Sequence, residues 1–406
     1  MKQNRRNFLK ATVGLSAIAT LAPATVVGQE LFAKLPLAKG KHVFLTKPYL
    51  QNPSENSMTI MWVVNLPSYS FVEYGESKDL GQLARTVESG LVMANNRINK
   101  IRLTGLKPGT KYFYRVVSKK IRKFKPYNIN YGETIKTGIY SFSTLSQKQE
   151  QVSMVVFNDL HDRPASISHL LNLTDKKTID FAFFNGDILG HINNEKPIIN
   201  HLLKTCAEEF ATETPFYFVR GNHETRGSFA RDLHHYFANP QGKQYYDFEW
   251  GSTHFTVIDA GEDKPDDAEV YAGIVDFDNY RVEQADWFKN EVSRSKKFQK
   301  AKFRVVLMHI PFYHSDDWHT TMHLKKLFSE LFNQAEIDMC ISGHTHEYGV
   351  YKPEKGQHNY PIIIGGGPQN GKRTIINLKA DRKLLTISML RDDGKEVGNY
   401  KINSKR

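Results

Sequence analysis

The stretch Met154-Val-Val-Phe-Asn-Asp-Leu-His161 is an apolar run that ends in a carboxylate and an imidazole. Four more apolar runs end the same way. Phe181–Phe184 leads into Gly186-Asp187, and Phe216–Val219 leads into Gly221-Asn222-His223-Glu224. Val305–Leu307 leads into Met308-His309, and Met339–Ile341 leads into Gly343-His344-Thr345-His346. Strands of a parallel sheet are buried on both faces and read as continuous apolar runs, and ligands bind beyond their carboxyl ends. The five blocks are therefore expected on one rim of a parallel sheet.

Taken singly, each block has a plain explanation. Asp-x-His is also a capping Asp beside a surface His, Gly-Asp is also turn chemistry, and a lone strand-end His is also a core histidine. Five such blocks, in order and each at a strand end, point to one site. Hydrolysis of a phosphate ester needs a water ionised at neutral pH and neutralisation of charge building on the phosphoryl oxygens. Two cations about 3.5–4 Å apart do both. A carboxylate can bridge such a pair, imidazoles fill further positions, and the carbonyl oxygen of an Asn coordinates without adding charge.

The chain has 406 residues, long enough for two domains, and 40% of them are hydrophobic, enough for real cores. Its formal net charge of +12 comes from basic residues that are mostly scattered, which argues against a dedicated nucleic-acid partner and suits a small phosphorylated substrate. The two cysteines, Cys206 and Cys340, build no disulfide framework and lie outside the five blocks.

At the N-terminus, Arg5-Arg6-Asn7-Phe8-Leu9-Lys10 resembles a twin-arginine export motif. It is followed by a mildly apolar stretch from Ala11 to Val27 that Ser16 and Pro23 interrupt. That stretch is weak for a membrane span, which needs about 20 apolar residues. Residues 1–28 are expected to be a signal peptide read by the twin-arginine export machinery, cut near Val26-Val27-Gly28, and the protein periplasmic or extracellular. No later segment is apolar enough to form a stable membrane span. The twin-arginine route carries folded proteins, so metals would be loaded before export.

Residues 41–145 read as short strands between turn signals: Met58–Val64, Ser70–Tyr74, Lys100–Thr104, Tyr112–Ser118 and Ile139–Ser143. That rhythm predicts a small all-β sandwich with Trp62 in its core. The segment Leu106-Lys-Pro108-Gly109-Thr110-Lys-Tyr112 resembles the tyrosine corner of a fibronectin type III-like sandwich. Lys119, Lys120, Arg122, Lys123 and Lys125 decorate one long connection, and such a run is expected to be a solvated hairpin. The polar linker Ser146–Gln151 closes this part. From 152 to 406 buried strands alternate with helix-like segments at Ile167–Leu173, Pro197–Phe210, Gln284–Val292 and Met322–Gln334, an α/β pattern. Strand-like stretches at Pro361–Ile364, Thr374–Leu378 and Leu384–Met389 complete a sheet.

Together the blocks D-x-H, G-D, G-N-H-E, strand-end His and G-H-x-H resemble the calcineurin-like metallophosphoesterase superfamily. With the preceding sandwich they resemble its purple acid phosphatase branch, over roughly residues 40–350. The resemblance implies a metallophosphoesterase β-sandwich flanked by helices. It implies two divalent or mixed-valence metal ions, one held by Asp159, His161 and His346, the other by Asn222, His309 and His344, with Asp187 bridging. His223 would be the catalytic residue that stabilises the phosphoryl group and assists the leaving oxygen, and a metal-bound hydroxide would attack phosphorus. Two departures stand out. Gly190 occupies the position where purple acid phosphatases carry the Tyr that colours their iron, and His161 falls where they carry Gly. No purple charge-transfer band is expected, and nitrogen and oxygen donors without thiolate admit Mn, Fe, Zn or Co.

Asp162 and Arg163, just after the first block, and His314, after His309, are candidate substrate contacts, as are Arg226, His319 and His323. Phosphomonoesters are the expected substrates and phosphodiesters the alternative, because a His in the first block is shared with many diesterases. A binding module with a vestigial enzyme domain is a reading of another class, opposed by the intact donor set. A nuclease would need the Lys119–Lys125 run beside the rim.

Overall fold

The five site-bearing runs divide between two sheets whose inner faces meet. In the computed structural model, which describes residues 40–146 and 148–406, Phe216–Val219, Phe181–Asn185 and Val152–Phe157 pair in parallel in one six-stranded sheet. Thr374–Ala380, Leu384–Arg391 and Glu396–Asn403 extend that sheet in antiparallel order. Phe303–Met308 and Met339–Ser342 lie in the second six-stranded sheet, parallel to Thr253–Ile258 and Ile362–Ile364, with antiparallel strands at both edges. The runs taken alone suggest one sheet; the two sheets are the β-sandwich flanked by helices that the resemblance implies, and residues that follow strands of both sheets converge in one place. The proposed signal peptide, 1–28, lies outside the described residues.

Alternation along each run explains why the layers form. Met154 and Val156 face the other sheet, packing with Phe255, Val257, Val305, Leu307 and Ile341. Val155 and Phe157 face the opposite way, onto Leu170 of helix Pro164–Leu171 and Leu202 of the helical stretch 198–209. Successive residues of a strand point to opposite faces, so a strand apolar throughout fills two cores at once. On the outer side of the second sheet, Val306, Met308 and Cys340 pack against Phe328 and Phe332 of helix His319–Gln334 and Phe288 of the stretch 277–292. The order is helix, sheet, sheet, helix.

Upstream, a seven-stranded sheet is organised by one long strand, Ser57–Gly75. The two separate strands expected at Met58–Val64 and Ser70–Tyr74 are the halves of this single strand. It runs through Pro67 because a register irregularity between Val63 and Ser68 absorbs the missing donor. Its first half pairs with Ala94–Thr104 and its second with Lys111–Lys125, so it bends from one face of the β unit to the other. Trp62 is fully buried, and its indole donates to Ser118 Oγ at 3.0 Å. At the tyrosine corner Tyr112 Oη accepts from Lys107 N–H at 3.0 Å. The basic run Lys119–Lys125 is the solvated hairpin expected: it lies in the strand Lys111–Lys125, paired with Asn128–Lys136.

This β unit shares a core with the helices beside it. Tyr49, Met61 and Val63 are buried among Phe216, Leu233 and Phe237. Tyr49 Oη donates to the Tyr236 carbonyl at 2.9 Å, and Tyr114 Oη donates to the Thr212 carbonyl at 2.7 Å. Arg97 makes a two-pronged contact with Glu195. Among the described residues no helix is long and apolar enough to cross a membrane.

Candidate metal centre

The loops beyond the strand ends are tightly wound, and their residues pay in backbone conformation. Asp159, His161, Asp187, His344 and His346 all adopt positive φ, between 45° and 71°. Left-handed backbone is uncommon outside glycine and persists where the surroundings over-determine it, as at functional sites. Glycines make the convergence possible. A Cβ on Gly221 would lie 2.2 Å from Asp187 Oδ1, and one on Gly343 would lie 2.3 Å from Asp159 Oδ2.

Asp187 is the hub. One ligand atom each from Asp159, His161, Asp187 and His346 falls within a 4.8 Å cluster, and a second such cluster joins Asp187 to His309 and His344. In the first, His161 Nε2 is 3.0 Å from His346 Nε2, and His346 Nε2 is 3.5 Å from Asp159 Oδ1. In the second, His309 Nε2 is 3.2 Å from Asp187 Oδ2, and Asn222 Oδ1 is 3.1 Å from His344 Nδ1. The structure therefore brings together all seven expected ligands, in two sets sharing one carboxylate.

These atoms suit cations rather than one another. His309 is fully buried, and its Nδ1 is 2.8 Å from the Asn185 carbonyl, which can only accept. The ring proton is thus on Nδ1, and Nε2 is left aimed at the two carboxylates. His309 Nε2 and Asp159 Oδ1 are both buried without a hydrogen-bond partner. Orphaned donor atoms of a His and an Asp converging on one space are what a metal site shows before loading, with the second ring nitrogen oriented by a carbonyl. The residues fit a pair of metal ions.

The electrostatics follow from crowding in a dry place. Burial alone would raise Asp187, but His309 beside it overrides this and holds its carboxyl below the usual range. Asp159 is lowered in the same way, burial opposed by His309. His309 answers in kind: burial disfavours its charge, yet Asp187 and Asp159 lift it to about 10. Burial takes His161 down to about 4 against the pull of Asp187 and Asp159. It takes His344 to about 4 as well, with His309 adding to the drop. His346 is raised by its contact with Asp159.

His223 stands beside the clusters. Its backbone N–H donates to Asp187 Oδ1 at 2.9 Å and its Nε2 is 3.9 Å from Asp187 Oδ2. Its ring meets His161 edge-on at 4.5 Å and stacks on His191 at 5.7 Å. It lines a cleft of about 490 Å³ with Asp187, Asn222, Arg226, His314, Trp318 and Tyr351. Arg163 does not line this cleft. Its guanidinium turns back to the carbonyls of Leu160 and His161. The basic side chains of the Lys119–Lys125 hairpin are also absent from the lining. Arg226 is held in the wall by two bonds to Glu262, at 2.7 and 2.8 Å, and one to Asp263. His319 and His323 instead face Asp278.

Two residues serve as positioning devices: Glu224, whose role the sequence did not suggest, and Asp162, expected as a substrate contact but turned to the backbone instead. Glu224 is fully buried, and its carboxylate accepts the backbone N–H groups of Asp187, Leu189 and Gly221 at 2.7 to 2.9 Å. It ties the Gly-Asp loop to the Gly-Asn-His-Glu loop. Burial and then Asp187 push its carboxyl up to about 8, against the backbone donors. Asp162 accepts from Gly190 N–H at 2.9 Å and meets His201 at 2.8 Å. A Cβ on Gly190 would lie 2.6 Å from Asp162 Oδ2, so the space a larger residue would need there is taken.

Comparison with known proteins agrees with this geometry. The family model described as calcineurin-like phosphoesterase matches residues 152–348, and that described as purple acid phosphatase, N-terminal domain matches residues 46–144. Purple acid phosphatase 21 of Arabidopsis thaliana is 25% identical over 359 residues, 82% of this chain and 72% of that protein. Probable purple acid phosphatase 20 of the same plant is 22% identical, over 72% of this chain and 66% of its own length. Among solved structures, purple acid phosphatase PPD1 from yellow lupin (Lupinus luteus) seeds superposes with a TM-score of 0.64 at 14% identity, covering 88% of this chain and 74% of that one. PhoD superposes with a TM-score of 0.60 at 12% identity, covering 89% and 92%. The fold and site define a metal-dependent phosphoric ester hydrolase. The chain carries a calcineurin-like phosphoesterase domain preceded by a purple acid phosphatase N-terminal domain, and the relatives it resembles are purple acid phosphatases.

Two outcomes are expected. Glu224→Ala, which leaves three buried N–H groups unpaired, should cost ~3–5 kcal/mol in urea denaturation and weaken metal retention. Glu224→Gln, with one acceptor oxygen left, should fall between. Secondly, loading metal into the metal-free protein at neutral pH should release about one proton per chain or more, because a cation displaces the proton held on His309, while His161 and His344 are already neutral. Titration in weak buffer with a pH indicator measures the release, and its absence would contradict the assignment of His309.

Proposed function

We propose that this protein is an exported phosphatase that hydrolyses phosphate monoesters at a binuclear metal centre. The observation that carries the reading is the sharing of Asp187 between two donor sets, with orphaned buried donor atoms aimed into the space between them. In this reading Asp159, His161 and His346 hold one ion, Asn222, His309 and His344 hold the other, and Asp187 bridges. When bound, two such ions supply an ionised water at neutral pH and neutralise charge on the phosphoryl oxygens.

The chain's own residues do the rest. His223, anchored through its N–H to Asp187, presents its ring to the cleft, where it stabilises the phosphoryl oxygens and gives a proton to the departing oxygen. Arg226, kept in place by Glu262 and Asp263, presents its guanidinium in the wall of the cleft. The exclusion of a larger side chain at Gly190, together with His161 in the first set, supports a centre without a tyrosinate ligand and a protein without purple colour. Export rests on Arg5-Arg6 and the stretch that follows, which lie outside the described residues.

A diester reading has one observation in its favour: the aromatic side chains of Trp318 and Tyr351 lie in the lining of the cleft, where a second ester group could pack. Kinetics on p-nitrophenyl phosphate and bis(p-nitrophenyl) phosphate, with Mn, Fe, Zn or Co supplied singly, should show the higher kcat/KM for the monoester. The reverse order would give the site to diesters. Asp187→Asn should lose metal together with activity. His223→Ala should keep its metal and lose ~10²-fold or more in kcat. Normal turnover by His223→Ala would remove that residue from the chemistry.

A further inference from the structure

Beyond the binuclear centre, His314, Glu354 and His358 bring two imidazole nitrogens and a carboxylate oxygen to within 4.8 Å of one another. His358 is fully buried. Its Nδ1 lies 2.7 Å from the Tyr360 carbonyl, an acceptor only, so the ring proton is on Nδ1 and the lone pair of Nε2 points outward. That Nε2 is 3.1 Å from His314 Nε2. Glu354 and His358 face each other across a tight turn, each N–H donating to the other's carbonyl, at 2.9 and 3.1 Å.

The arrangement repeats one already seen. His161 and His346 approach Nε2 to Nε2 at 3.0 Å with rings crossed at 82°, beside Asp159. His314 and His358 approach at 3.1 Å with rings crossed at 89°, beside Glu354. His314 also has a left-handed backbone, φ 60°, like five of the seven ligands of the main centre. Its ring is fixed by face-to-face stacking on Tyr351 at 3.9 Å. Among the described residues, the other His/Asp group outside the main centre, Asp278 with His319 and His323, differs in one respect. Its carboxylate already neutralises the buried guanidinium of Arg281 at 2.6 Å, and a second cation there would face that charge.

We propose that His314, Glu354 and His358 form a third, mononuclear metal site for a divalent ion of the zinc type. Two imidazoles and one carboxylate are a set zinc takes in tetrahedral geometry, with the fourth position left to water. The ion would tie the Glu354–His358 turn to the segment that supplies His314, Ser315, Asp316 and Trp318 to the cleft. It is a site that stiffens the cleft wall, and its existence does not depend on the phosphatase reading. The simpler arrangement is a His314–His358 hydrogen bond with Glu354 uninvolved.

The test is metal content of the full chain after dialysis against micromolar zinc, together with zinc affinity by competition with a chromophoric chelator. The wild type should hold about three equivalents per chain and Glu354→Gln about two. His358→Asn should also hold about two, while the exposed position of Glu354 keeps the test valid if His358→Asn fails to fold. Asp187→Asn, which disables the main centre, should retain about one equivalent, bound ~10-fold or more weakly once Glu354→Gln is added. Two equivalents in the wild type, or unchanged retention and affinity in Glu354→Gln, would overturn the proposal and leave the hydrogen bond. The Asp187→Asn arm separates this failure from a failure of the main centre.

Discussion

Two carboxylates, Asp159 and Asp187, are buried side by side with no solvent to screen them. Like charges in such a setting repel strongly, and each desolvated carboxylate costs several kcal/mol on its own. The surrounding imidazoles offset this unevenly: burial disfavours the charged forms of His161 and His344, while the carboxylates favour those of His309 and His346. Both sheets, the glycine approaches and the left-handed loop residues hold that unfavourable grouping together, and a pair of cations is what relieves it.

The restraint comes largely from main-chain groups. Glu224 gathers three N–H donors from two loops, and Asp187 takes the N–H of His223 in turn. Position is thus transmitted from a buried acid, through backbone, to the shared carboxylate and to the histidine beside it. Asp162, itself held by His201, does a comparable task by accepting the N–H of Gly190. Backbone bonds of this kind are short and directional, so small displacements of one loop move both donor sets.

The placement of the five blocks was legible in the sequence because a strand buried on both faces leaves an unbroken apolar run, and the functional residues follow the run directly. The division of those runs between two sheets was not legible from the runs alone, since a pairing partner can be any other apolar strand and the choice is made by distant contacts. The single strand Ser57–Gly75 was read as two because Asn65-Leu-Pro67 breaks the alternation, and a bulge hides that break in space. Side-chain direction was the least accessible. Arg163 and Arg226 stand equally near their motifs, but only Arg226 has Glu262 and Asp263 to hold it in the cleft. Glu224 was visible as a letter of a motif, while its partners are N–H groups that every residue carries.

The shared core of Tyr49, Met61 and Val63 with Phe216 and Phe237 has a consequence for how the chain comes apart. Cutting within Ser146–Gln151 would sever the covalent path without uncoupling the halves, because the seam they bury is interior rather than surface. Heating should therefore dissolve both in one cooperative event, and the catalytic half prepared alone would present a sticky oily flank to water.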